Sequence, residues 1–157
     1  VTVGIIRGGE RFNIIPEEVR LEGTVRTYRP EVQDEIEARM DEILAGIAAS
    51  AGGSHTLDYE RITPATVNDP ALHERAVASL ENALGAEHVF PAEPTMAGED
   101  FAYFTDTVPG YYFRLGVREP GGESGALHTP EFRADDGAVA VGIHAMARVV
   151  LDFLADG

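Results

Sequence analysis

The chain has 157 residues, 44% apolar and 25% charged, with no Cys and no Trp. That length can bury a core as one domain or two small ones, and without cysteine there is no disulfide framework, thiol catalysis or thiolate metal site, so any metal ligand must be His, Asp or Glu. The net charge of -15, from 27 acids against 12 bases that are all Arg, repels phosphate backbones and anionic membranes and argues against nucleic acid as a partner.

No run approaches the ~18 uninterrupted apolar residues of a membrane span, which predicts no membrane role. An acidic surface without lysine suits a high-salt cytoplasm, and codon bias toward arginine accounts for it equally well. Val1 already sits inside a strand-like alternation, with Val1, Val3 and Ile5 on one face and Thr2, Gly4 and Ile6 on the other. This start reads as part of a longer protein. The expected location is the cytoplasm, and the lack of a signal peptide here carries no information on export.

In chain order, residues 1–7 read as a strand stopped by Gly8-Gly9, and Val19 to Tyr28 as a second, with Val19, Leu21, Gly23 and Val25 on its apolar side. Pro30 falls at a first helical position, and Val32, Ile36, Met40, Ile43, Leu44 and Ile47 recur at steps of three and four up to Ala51-Gly52-Gly53. Thr56 to Thr63 reads as a third, less regular strand. Asp69-Pro70 is a cap followed by a first-turn proline, opening a helix with a Leu72, Ala76, Leu80, Leu84 stripe closed by Gly85. A short strand is expected at His88 to Phe90, a short helix at Glu99 to Thr105 and a strong strand at Tyr111 to Val117. A glycine-rich loop follows, then a last helix from about Asp135 to Leu154, whose few polar positions predict packing on more than one side.

Five histidines are candidates for chemistry. His55 and His73 read as exposed positions, His88 as the flank of a strand, and His144 as a structural residue of the terminal helix. His128 differs, because it follows the glycine-rich loop and precedes Thr129-Pro130, a rigid segment able to present an imidazole at the mouth of a cleft. Glu99 and Asp100 are adjacent carboxylates that suit either a metal or acid-base site or a helix N-terminus. Asn13 and Arg26 suit the grip of a carboxylate, by amide donor and by bidentate fork, and surface ion pairing is the ordinary role of a lone Arg.

Four stretches, VGIIRGGERFNIIPEEVRLEGTVRTYRPEV, PTMAGEDFAYF, PGYYFRLG and ALHTPEF, stand in an order and spacing that resemble one metal-dependent family. It is the amidohydrolase and peptidase family containing hippurate hydrolase, auxin-conjugate hydrolases, aminoacylase and carboxypeptidase G. The likeness spans essentially the whole chain and looks closest to the N-acyl-amino-acid amidohydrolase branch. It implies an α/β protein with an α+β lid: residues 1–66 as the later part of a ferredoxin-like lid and dimerisation domain, and residues 67–157 as the C-terminal part of a zinc-peptidase-like α/β catalytic domain.

Position by position, His128 resembles the family's last metal ligand. Asn13 and Arg26 resemble the lid pair that contacts the substrate carboxylate, with Gly8 and Gly9 in the same lid loop, and Glu99 and Asp100 match a block that supports the site. The resemblance further implies two divalent metals per active site (zinc, or manganese or cobalt), a small N-acyl amino acid or peptide as substrate, and a homodimer through the lid. No general base is identified; that Glu and the remaining ligands are expected before Val1. On this reading the helix from Pro30 and the terminal helix lack packing neighbours and expose apolar patches. The alternatives are a metallo-carboxypeptidase or dipeptidase of the same family, a non-catalytic ferredoxin-like dimerisation or amino-acid-binding module, and the remnant of a truncated gene.

Overall fold

The structure is a computed structural model and describes residues 1–155. It divides into two compact units, one made of Val1–Ala65 with Met96–Gly98, the other of Thr66–Thr95 with the chain from Glu99 onward.

In the first unit, β1 (Thr2–Gly8) and β2 (Val19–Thr24) form an antiparallel pair, followed by helix α1 (Pro30–Ala51). The pairing runs from Gly8 opposite Val19 to Thr2 opposite Thr24, with a bulge between Val3 and Ile5. A bulge sets two residues against one and so reverses the alternation beyond it. Val3 and Ile6 therefore share a face with Leu21 and Val19, while Ile5 joins the face of Arg7, Arg20 and Glu22. This corrects the simple period-two reading of residues 1–6. The bulge also brings strands together at Gly23, where a Cβ would lie 2.2 Å from the Thr2 carbonyl oxygen. Glu22, half-buried, lies near both Arg7 (3.6 Å) and Arg20 (3.4 Å), and the opposite, apolar face of Val3, Ile6, Val19 and Leu21 is exposed.

Helix α1 begins with Pro30 at its first position and ends at Gly52 in the left-handed region (φ 69°), where Gly53 N–H donates to Ala48 O at 2.9 Å. Val32, Ile36, Met40 and Leu44 are half-buried and Ile43 and Ile47 exposed. Residues 55–61 run beside this helix, with His55 Nε2 2.8 Å from Asp41 Oδ1, and Arg61 paired with Asp34 at 2.6 Å and with Glu37. His55 is therefore half-buried, not exposed as expected. The segment keeps a strand's alternation, with His55, Leu57 and Tyr59 half-buried between exposed neighbours, but it is not a strand. A strand needs a ladder partner, and no described segment supplies one. β2 likewise stops at Thr24, short of Tyr28.

The second unit is helical: α2 (Pro70–Leu84), a 3₁₀ turn at Ala86–His88, α3 (Ala102–Thr105) and α4 (Gly137–Ala155), with no strand at the expected His88 to Phe90. Asp69 caps α2, its side chain accepting from Leu72 N–H at 2.9 Å. Among the described residues the buried ones are Ala76, Ser79, Leu80, Ala102 and Ala145, all in this unit. α2 and α4 are in contact, and small side chains at Ala76, Ser79 and Ala145 allow close approach.

Helix α4 departs from expectation in two ways. It is not packed on more than one side: among its residues only Ala145 is buried, while Val139, Ile143, Met146, Val150 and Leu154 are exposed, because α2 is the one helix in contact with it among the described residues. By length and composition alone it is also long and apolar enough to cross a membrane. Counting uninterrupted apolar runs passes over it, since His144, Arg148 and Asp152 break the run. The last two of these pair at 3.0 Å.

Candidate functional site

The expected site residues lie in three local structures, one in the first unit and two in the second. In the first unit, β1 turns at Gly8-Gly9. A Cβ at Gly8 would meet Val19 Cγ2 at 2.9 Å, and Gly9 has φ 76°, so neither position readily takes a side chain. Asn13 follows in an exposed turn closed by Ile14 N–H to Arg11 O at 3.3 Å. Arg26, just past β2, donates from Nη1 to the Met96 carbonyl. Its guanidinium thus already holds a neutral carbonyl oxygen, a weaker acceptor for it than a carboxylate. Among the described residues, no hydrogen bond joins Asn13 to Arg26.

In the second unit, Glu99 precedes α3 and is half-buried. Its Oε1 accepts from the Phe101 N–H at 3.1 Å and its Oε2 from the Tyr112 hydroxyl at 2.9 Å. The Phe101 N–H, then the Tyr112 hydroxyl, hold the carboxyl below its ordinary range. Tyr112 is raised in return, chiefly because its proton serves Glu99 and secondly by burial. Tyr112 is itself gripped by Asn68, whose Oδ1 accepts the Tyr112 N–H at 2.8 Å and whose Nδ2 donates to the Tyr112 carbonyl at 2.8 Å. An amide side chain thus takes the place of a neighbouring strand. The Tyr111–Val117 segment is not a strand, for the same lack of a ladder as at residues 56–63. Asp100 is exposed; its carbonyl accepts the Tyr103 N–H at 3.1 Å as α3 begins.

His128 lies in the loop between residues 124 and 133. Gly125 N–H donates to Glu131 O at 3.0 Å across the neck, and Ser124 Oγ accepts from Arg133 N–H at 3.0 Å while donating to Arg133 O at 2.8 Å. Within the loop, Thr129 donates to Ala126 O from both its N–H (3.2 Å) and its hydroxyl (2.9 Å). His128 has φ 67°, the one non-glycine residue with positive φ among those described. It is exposed, with its imidazole on a conformation that L residues adopt at a cost. The remaining histidines do not join it: His73 meets Tyr111 (ring centroids 5.6 Å), and His88 and His144 are exposed.

As a metal centre the donor set is incomplete. Among the described residues no three His, Asp or Glu side chains gather as a metal ion would require. His128 offers one imidazole donor, which suits a single ligand position and no more. Sequence reading missed Asn68, Tyr112 and Ser124. Tyr112 sits in PGYYFRLG, a stretch that carries the resemblance, but nothing local to it points to Glu99. Asn68 stands directly before the Asp69-Pro70 helix start, which accounts for a polar residue there without a second role.

Residues 4–152 match the profile of peptidase family M20/M25/M40. The chain belongs to that family. Among curated relatives it is 37% identical over 146 residues to N-acetyldiaminopimelate deacetylase of Shouchella clausii, covering 93% of this chain and 38% of that protein. It is 29% identical over 160 residues to IAA-amino acid hydrolase ILR1-like 2 of Arabidopsis thaliana, covering 99% and 36%. The M20 peptidase YxeP of Bacillus subtilis, a dinuclear metal binding protein, shares the fold: its crystal structure matches with a TM-score of 0.85 at 27% identity, over 96% of this chain and 41% of that one. The chain thus spans under half the length of the relatives it matches. The family read from the four sequence stretches is the one found, and the α/β architecture with an α+β lid that they imply agrees with the fold of that M20 peptidase.

Proposed function

We propose that this chain is part of a metal-dependent hydrolase that cleaves the amide bond of N-acyl amino acids, adding water to give a carboxylic acid and a free amino acid. The observation that carries the reading is family membership over residues 4–152, with relatives named as a deacetylase and an amino-acid hydrolase. The strained, exposed His128 supports it. Residues 1–66 serve as the lid and dimerisation part and residues 67–157 as the C-terminal part of the catalytic domain, in a cytoplasmic homodimer.

In this reading His128 is one ligand of a pair of divalent cations, zinc, or manganese or cobalt, and segments that the relatives have and this chain does not span supply the others. When bound, the metals activate water and polarise the amide carbonyl. Arg26, just past β2, and Asn13, in the turn that follows Gly8-Gly9, contribute charge-assisted and amide hydrogen bonds to the substrate carboxylate. Arg26 must exchange the neutral Met96 carbonyl for the substrate carboxylate, a stronger acceptor for a guanidinium. Glu99 and Asp100 support the site from the start of α3. Cleavage of a peptide bond in a dipeptide is the second reading, favoured by the likeness to a peptidase.

The test is metal content and hydrolysis of hippurate and N-acetyl amino acids by the full-length protein, with His128→Ala beside it. The reading requires about two metals and turnover in the parent, and loss of roughly one metal and of activity in the variant. Unchanged occupancy and rate in His128→Ala would sink the ligand assignment.

A further inference from the structure

We propose that Ser124 is a positioning residue for His128, holding the loop neck so that the imidazole stays in its left-handed presentation. The inference rests on the reading of His128 as a metal ligand. A non-glycine residue at φ 67° persists only where its surroundings over-determine it. His128 is exposed and has little packing of its own, so the determination must come from the loop's closure.

That closure is made by two residues. The single Ser124 hydroxyl engages both backbone groups of Arg133, accepting at 3.0 Å and donating at 2.8 Å, with the Gly125 carbonyl a longer alternative acceptor at 3.3 Å. In a strand pair those two groups would be met by a neighbouring backbone; here one side chain meets them. Beside it, Gly125 admits no side chain, because a Cβ there would lie 2.6 Å from Thr129 Oγ1 and 2.7 Å from Glu131 Cβ. The exit of the loop is held separately, by Asp135 N–H donating to Val117 O at 2.7 Å. The neck is thus the one cross-link between residues 124–125 and 131–133, and every turn hydrogen bond around His128 lies inside it. Ser124 itself needs no contact with metal or substrate. Removing its hydroxyl leaves the Arg133 groups to water and frees the loop to relax His128 toward ordinary φ, which moves the ring.

The experiment compares Ser124→Ala, Ser124→Thr, Gly125→Ala and His128→Ala in the full-length protein, measuring zinc affinity by chelator competition and the melting temperature without metal. Ser124→Ala is expected to weaken zinc binding about tenfold, the lower end of the range for residues that orient a ligand from behind. Ser124→Thr, which keeps the hydroxyl, stays within about twofold of the parent on the same scale. Gly125→Ala opens the same neck by steric contact and lowers affinity as well, which keeps the test sound if one variant folds poorly. A lower melting temperature with unchanged zinc affinity in Ser124→Ala overturns the proposal, as does an equal loss in the Ala and Thr variants. If His128→Ala also binds zinc like the parent, the ligand reading itself has failed; if His128→Ala loses metal while Ser124→Ala does not, only the positioning role has.

Discussion

The Tyr112 hydroxyl donates to Glu99 Oε2 at 2.9 Å while Asn68 holds the backbone N–H and carbonyl of the same Tyr112 at 2.8 Å each. One residue thereby ties the entry to α2 to the turn before α3, across 44 positions of sequence on one side and 13 on the other.

This link sets a pH window. Glu99 is held below its ordinary value, so its contribution is complete above the unfolded value of about 4.3 and is lost as pH falls through the folded one. Tyr112 is raised, so its contribution is complete below about 10 and is lost as pH rises through its folded value. Tyr112→Phe should therefore reduce the drop in melting temperature between pH 7 and pH 3.5 relative to the parent. An undiminished drop would show that the Phe101 N–H alone sets Glu99.

Asn68→Ala removes both hydrogen bonds to Tyr112 and leaves two part-buried backbone groups unmet. The expected loss is about 1–3 kcal/mol in urea unfolding. Asn68→Asp should not restore it, because a carboxylate cannot donate to the Tyr112 carbonyl.

His128→Gly separates strain from function. Glycine adopts a positive φ without the ~1–2 kcal/mol penalty of other residues but loses part of the gain to chain entropy, so the fold should gain about 0.5–1 kcal/mol. His128→Ala keeps the strain and should gain nothing. Both should lose activity on the proposed reading, and a destabilised His128→Gly would mean that the imidazole makes contacts that hold the fold.

Arg26→Ala should weaken the use of substrates with a free carboxylate by about 1.5–3 kcal/mol, the scale of a charge-assisted hydrogen bond. Their esters and amides should change little. The readout is kcat/KM on matched acid and ester pairs, and an equal loss on both would assign Arg26 to the fold through Met96 instead.

What the sequence determined by itself was local. The starts of α1 and α2 follow from Pro30 and Asp69-Pro70, and their ends from Gly52 and Gly85, because a helix closes its hydrogen bonds within a few residues and its punctuation sits beside it. The four stretches that carry the family likeness are also read directly along the chain. Tertiary structure decided the rest. Residues 56–63 and 111–117 have the alternation of strands without being strands, since that status belongs to a partner's backbone and not to their own pattern. The bulge at residues 3–5 moves Ile5 to the charged face, α4 buries only Ala145, and Asn68, Tyr112 and Ser124 acquire their roles from partners 9 to 44 positions away. Hydrogen bonds over such separations depend on where the fold returns the chain, and no period or spacing in the sequence encodes that return.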